Sequence, residues 1–246
     1  MKKITIEACV ASVESAIAAE QGGADRLELN AALELDGLTP SLGLFKQVRA
    51  ACSLPIIVMI RPRGMGFVYS THEYAAMLED IKLFREAGAD GFALGFLTDQ
   101  LEIDIQKTSE AVNLAGPCEV VFHRAFDVSI DASSSLDALI ECGVKRVLTS
   151  GQQRSAPEGI EELKQLRIHS KGRIEILPGA GVKPSNVIQI LQGTDCTQVH
   201  GTFRKPNPNA SKVEGLASLK ASPPAGTDAS IVSEIRALCD MTFRDL

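Results

Sequence analysis

Short apolar runs that favour strands alternate with amphipathic helical stretches along almost the whole of this 246-residue chain, and that rhythm leaves few folds open. The runs Ile4–Cys9, Arg26–Asn30, Ile56–Ile60, Gly91–Gly95, Cys118–Phe122, Arg146–Thr149, Ile174–Leu177 and Gln198–His200 read as strands. The stretches Ser12–Gln21, Ser41–Ala51, Thr71–Ala87, Ile105–Ala115, Ser133–Cys142, Gly159–Ser170, Ser185–Gln192 and Ser230–Cys239 read as helices. Short hairpin loops are absent, so the strands must run parallel. A weak internal repeat supports the count. Gly23-Ala24-Asp25-Arg26-Leu27-Glu28-Leu29 resembles Gly88-Ala89-Asp90-Gly91-Phe92-Ala93-Leu94, and Cys142-Gly143-Val144-Lys145-Arg146-Val147-Leu148 follows the form more loosely. In each, a glycine stops a helix and a polar step opens the next strand. Eight such units close into a single (β/α)8 TIM barrel over residues 1–246; an open doubly wound sheet is the competing arrangement.

One segment breaks the rhythm. Residues 203–230 hold Pro206, Pro208, Pro223 and Pro224 with scattered Asn, Ser, Ala and Gly. A loop of that length is expected to be the last strand-to-helix connection, mobile in part and lying over the barrel mouth. Elsewhere, composition narrows the function classes. A net charge of −6 argues against a nucleic-acid surface, and no apolar run approaches the length of a membrane span. The start, Met1-Lys2-Lys3-Ile4-Thr5-Ile6-Glu7, lacks the apolar core of a signal peptide, which makes a cytoplasmic protein the expectation. Six cysteines without a close pair read as reduced thiols, mostly buried. A small-molecule or metal ligand is the expected partner, and a homo-oligomer stays open.

Several strands run straight into titratable side chains. Val120-Val121-Phe122 leads into His123-Arg124, with Asp127 following; Ile56–Ile60 leads into Arg61-Pro62-Arg63-Gly64; Ile4-Thr5-Ile6 leads into Glu7-Ala8-Cys9. Strand alternation turns Glu7, Cys9, Glu28 and Asn30 inward, as it does Gln198, His200 and His123. Barrel interiors are usually aliphatic, and barrel active sites lie at the carboxyl ends of the strands. Glu7, Glu28, His123 and His200 are therefore candidate acid/base residues. Arg61, Arg63, Arg124 and Asp127, with Ser150 after the sixth strand and Gly179 and Gly181 after the seventh, are candidates for holding a small anion. Inward carboxylates need partners, so Arg26, Arg61, Arg63 or Arg124 should lie near Glu7 and Glu28. The competing view is an ion-pair network that merely plugs the mouth. His72 and His169 read as surface residues, and only Cys9 among the cysteines belongs to the mouth.

Taken together, these motifs resemble the CutC copper homeostasis family. The resemblance is carried by Gly22–Leu29, Gly37-Leu38-Thr39-Pro40-Ser41, Val58–Gly64 with Tyr69-Ser70, Phe122–Asp127 and Arg146–Gly151. It implies a (β/α)8 barrel, a cytoplasmic location, a role in copper handling and copper(I) as the ligand. Members of that family carry a cysteine at the end of each of the first two strands, a pair implied to bind Cu(I). Here the first is Cys9 and the second position is Asn30; the loop after Arg63 reads Gly64-Met65-Gly66-Phe67. Cu(I) prefers soft sulfur ligands, so Cys9, joined by Met65 or a histidine, is expected to make a weaker site. The residues by themselves also support an enzyme of lyase, isomerase or hydrolase type. It would act on a small anionic or sugar-like substrate through Glu and His acid–base chemistry.

Overall fold

The computed structural model describes residues 3–205 and 226–243. Eight parallel strands alternate with helices: β1 (Thr5–Val10), α1 (Val13–Gln21), β2 (Arg26–Leu29), α2 (Leu42–Ala51), β3 (Ile56–Met59), α3 (Thr71–Glu86), β4 (Gly91–Leu94) and α4 (Ile105–Ala115). Then follow β5 (Glu119–Phe122), α5 (Ala132–Glu141), β6 (Arg146–Thr149), α6 (Ile160–Ser170), β7 (Glu175–Pro178), α7 (Val187–Thr194), β8 (Gln198–Gly201) and α8 (Ala229–Phe243). The sheet order is β7-β6-β5-β4-β3-β2-β1-β8, so sequence neighbours are sheet neighbours and β8 returns to lie beside β1. This is the expected TIM barrel, nearly closed. At the seam between β7 and β8 the Gln198 side chain stitches the strands, its Nε2 donating to the Ile176 carbonyl at 3.4 Å and to Glu175 Oε2 at 3.2 Å.

The helices start where their caps say they should. Ser12, Ser41, Asp104 and Asp131 each accept a backbone N–H of the first turn, and Ser70 with Glu73 forms a full capping box on α3. The repeated glycine step is real in conformation: Gly23, Gly88 and Gly143 have φ of 87°, 91° and 79°. Two short 3₁₀ turns were not foreseen, Leu33–Leu35 after β2 and Arg124–Val128 after β5. The stretch 206–225 of the loop expected over the mouth lies outside the described residues.

The main core fills the space between the sheet and the helix ring, with Phe45, Phe92, Phe96, Phe122 and Phe126 fully buried. Inside the barrel a second, smaller apolar cluster comprises Ile57, Met59, Ala93, Val121, Leu148 and Leu177. The rest of the interior is polar, and it is layered. Below, Arg26 pairs with Glu7, and Arg146 donates to Glu175 at 2.9 Å and to Glu119 at 3.0 Å. Gln198 joins the two halves by accepting from Arg26 Nη2 at 3.0 Å. This lower layer is a true ion-pair plug. Above it, towards the carboxyl ends of the strands, the barrel opens. Among the described residues, no helix is long and apolar enough to cross a membrane.

Candidate functional site

At or just beyond their ends, β1, β2, β3, β5, β6 and β8 deliver side chains to one cavity of ≈ 420 Å³ at the carboxyl-terminal mouth. One wall comes from β1, β2 and β8, which contribute Cys9, Glu28 with Asn30, and His200; the other comes from β3 and β5, which contribute Arg61 and His123. Met59 and Leu148 form an apolar floor, and Arg204, Asp36 and Asp127 stand at the rim. The period-two alternation foreseen for β1 and β2 is confirmed by the ladder, in which Cys9 sits opposite Glu28 and Glu7 opposite His200.

Glu7 itself lies one step deeper and is 1% exposed. Burial alone would raise its pKa, but the Arg26 guanidinium and the hydrogen bond from His200 carry it well below the usual carboxylate range. His200 donates from Nδ1 to Glu7 Oε1 at 2.8 Å, and its Nε2 lies 3.9 Å from Glu28 Oε2. Burial opposes the charge on His200, yet the Glu28 and Glu7 carboxylates outweigh it and raise the imidazole pKa. Glu28 moves the other way from Glu7. Burial raises its pKa, the His200 charge opposes that rise, and Glu7 adds to it. Its Oε2 accepts from Asn30 Nδ2 at 2.8 Å, while Oε1 has no partner among the described residues. Glu7, His200 and Glu28 thus form a chain of titratable groups in which the inner carboxylate is held well below the usual range and the outer one is raised above it.

Cys9 lies within this cluster. Burial first and the Glu28 carboxylate second push its thiol well above the ordinary range. Asn30 Nδ2 approaches Cys9 Sγ at 3.4 Å, so the amide occupies the place from which a second thiol would face the first. Ligand atoms of Cys9, Glu28 and His200 all lie within 4.8 Å of one another. That convergence suits one ion, with one soft, one intermediate and one hard donor. It is a harder donor set than paired thiolates would be. Met65 is not part of it: the residue is 87% exposed and does not line the cavity.

His123 ends β5 against Gly95, where an added Cβ would lie 2.5 Å from the imidazole Cε1. Its Nδ1 accepts the Ala125 N–H at 3.2 Å, which leaves the proton of the neutral ring on Nε2; that atom has no partner among the described residues. Burial, helped by the Arg61 charge, lowers its pKa from 6.5 to about 3, so the ring is neutral at physiological pH. As a neutral ring, His123 offers the cavity a hydrogen-bond donor.

The anion-holding residues divide. Arg61 and Arg124 line the cavity, as does Asp127. Arg63 does not, because its guanidinium turns back to Glu73 at the start of α3 and to the carbonyls of Met65 and Val68. The turn after β6 is a cradle already filled from within: the Asp127 carboxylate accepts from the N–H groups of Ser150 and Gln152 at 3.1 Å each, and Arg124 donates to Asp127 at 2.7 Å. Ser150 therefore positions Asp127 and does not line the cavity. Gly179 gives its N–H to the Thr149 carbonyl at 3.0 Å, and a Cβ there would lie 2.5 Å from Leu148 Cδ1; its role is to let the floor approach. Gly181 lies outside the cavity lining. Arg204 was missed, since it follows β8 by a few residues and reads as the start of the long loop. Arg146 was missed as an interior residue, although alternation along β6 with Leu148 points it inward. His72 is exposed and His169 pairs with Asp137 at 3.0 Å, so both are surface residues as expected. All six cysteines are free.

Comparison with known proteins bears on this arrangement. The model of the CutC family matches residues 4–205. A CutC family protein of Treponema denticola is 47% identical over 200 residues, 81% of each chain. The copper homeostasis protein cutC homolog of Homo sapiens is 42% identical over 207 residues, covering 84% of this chain and 76% of that one. Among solved structures, a CutC protein of Streptococcus agalactiae superposes with a TM-score of 0.76 at 34% identity, over 81% of this chain and 98% of that chain. The aldolase QR15, at a TM-score of 0.64 and 12% identity over 100% of this chain and 98% of that one, shares the fold alone.

Proposed function

The chain belongs to the CutC family, and from that membership we propose that it is a cytoplasmic protein of copper homeostasis that holds a copper ion at the barrel mouth. The observation that carries this reading is the convergence of Cys9 Sγ, a His200 ring nitrogen and a Glu28 oxygen within 4.8 Å of one another, all buried. The family names of its relatives supply the metal, and the donor set supplies the affinity class. With a single thiol, the site is weak for Cu(I) and exchanges its ion readily. Asn30 sets that weakness by standing where a second sulfur would face Cys9. A titration of copper(I) against a competing chelator, under reducing conditions, tests it. One equivalent of weakly held copper, lost in Cys9→Ser, is the expected result; binding that survives that substitution would remove the reading.

A second reading is favoured by a separate observation. Four buried polar atoms of cavity-lining residues have no partner among the described residues: Glu28 Oε1, Asn30 Oδ1, Arg61 Nε and His123 Nε2. Buried polar groups are nearly always satisfied, so a cluster of exceptions marks a place where a ligand supplies the partners. In this reading the barrel is an enzyme for a small anionic or sugar-like substrate, with Glu28 and His200 exchanging protons and Glu7 anchoring them. Screening metal-free protein against sugar acids and sugar phosphates by thermal shift tests it; a flat response across the screen would end it.

A further inference from the structure

Most arginines in the barrel interior or beside its mouth have a carboxylate among the described residues. Arg26 meets Glu7, Arg63 meets Glu73, Arg124 meets Asp127, and Arg146 meets Glu119 and Glu175. Arg61 is the exception inside the barrel. It is 3% exposed, yet its Nη1 donates only to the carbonyls of Leu35 and Gly37, at 2.9 and 3.0 Å. No carboxylate of the described residues lies within ion-pair distance of it, and its Nε has no partner. A buried cation left with neutral acceptors is costly, and the cost is relieved by an anion that the protein does not itself provide.

Two neighbours point to the same missing charge. The Phe67 ring lies 5.1 Å from the Arg61 guanidinium and 5.1 Å from the His123 imidazole, joining them as one wall. His123 offers an Nε2–H with no acceptor. Arg204 lines the same cavity, and its side chain has no ion pair among the described residues. On the facing side, Glu28 Oε1 and Asn30 Oδ1 are acceptors in want of donors. The volume of ≈ 420 Å³ suits a small organic molecule better than a bare ion, and Met59 and Leu148 give it an apolar surface to rest on.

We propose that Arg61, His123 and Arg204 bind the oxyanion end of a small hydroxylated organic ligand, a carboxylate or a phosphate, whose hydroxyl groups donate to Glu28 and Asn30. The depressed pKa of His123 agrees with this, since a neutral ring is a pure hydrogen-bond donor there. The inference deepens the second reading above and requires no metal. It also separates two walls of one cavity: the sulfur-bearing wall that suits an ion, and the arginine–histidine wall that suits an oxyanion.

Calorimetric titration of protein freed of metal with EDTA tests it, using glycerate, glycerol 3-phosphate and glycerol as probes. One of the two anions binds one-to-one and glycerol does not; which anion binds tells carboxylate from phosphate. His123→Asn and Arg204→Gln each weaken that binding about tenfold or more, the worth of one charge-assisted hydrogen bond. Arg61→Lys does the same, and the other two variants keep the test alive if that one fails to fold. His72→Gln, at an exposed position outside the cavity lining, leaves the anion affinity unchanged. The inference is overturned if neither anion binds, if none of the three variants weakens binding, or if His72→Gln weakens it as much as they do. An anion that binds but is never turned over would remove the enzyme reading and leave this inference standing. Turnover of a neutral sugar with neither anion bound would do the reverse.

Discussion

Replacing Arg26 or Arg61 by methionine separates charges that hold the barrel together from charges held for a ligand. Both arginines are inward and largely buried, and neither fold nor sequence distinguishes them at a glance. Arg26→Met strands Glu7, which is 1% exposed and keeps only its bond from His200. Breaking one side of a buried pair costs about 3–5 kcal/mol. In a domain of this size each kcal/mol moves Tm by about 2–4 °C, so the midpoint falls by about 6–20 °C. Adding Glu7→Gln removes the stranded charge, and the double variant regains about 2–3 kcal/mol of the loss. Arg61→Met strands no carboxylate of the described residues. It loses two hydrogen bonds to carbonyls, each worth about 1 kcal/mol net, and it also removes an uncompensated buried cation. Its stability stays within about 2 kcal/mol of the parent. Because the chain contains no tryptophan, urea unfolding followed by far-UV circular dichroism at pH 7 is the suitable assay. Equal losses for the two variants, or strict additivity of Arg26→Met with Glu7→Gln, would refute the reasoning.

Asn30→Cys should tighten Cu(I) binding, because it places a second thiol where Asn30 now approaches Cys9 Sγ at 3.4 Å; chelator competition under reducing conditions measures the gain. His123 contributes stability that is complete above its unfolded pKa of 6.5 and is lost as pH falls towards its folded value of about 3. Between those values the parent should lose up to about 1.4 kcal/mol per pH unit more than His123→Asn, read from urea midpoints across that range. Gly95→Ala would set a methyl 2.5 Å from His123 Cε1 and 2.9 Å from Ala125 Cβ, so the imidazole must leave its place. Anion binding should fall with it, and wild-type affinity in a folded Gly95→Ala protein would contradict the assigned role of the ring.

Much of this architecture was legible because period-two alternation and helix caps are local. Inward placement of Glu7, Cys9, Glu28 and Asn30 followed from the apolar residues between them, which must face the helices. Arg63 misled for the opposite reason. A charge at a strand end points to the mouth only if the next loop lets it, and here the capping box of α3 offers Glu73 as a closer partner. The turn after β6 reads as an anion cradle, but nothing in its own sequence says that Asp127, contributed from after β5, accepts its N–H groups. Arg204 was invisible because the long loop begins where its strand ends. The plug and the site proved to be two layers of one interior, a distinction that depends on depth along each strand and not on residue type.

The central claim is that copper is held at the mouth by Cys9, Glu28 and His200. Crystals grown under reducing conditions and soaked with copper(I), measured at the copper absorption edge, test it most directly. The expected result is one anomalous peak at bonding distance from Cys9 Sγ, with a His200 ring nitrogen and a Glu28 oxygen completing the set. Anomalous density confined to Met65, His72 or other exposed residues, with the mouth free of copper, would contradict it.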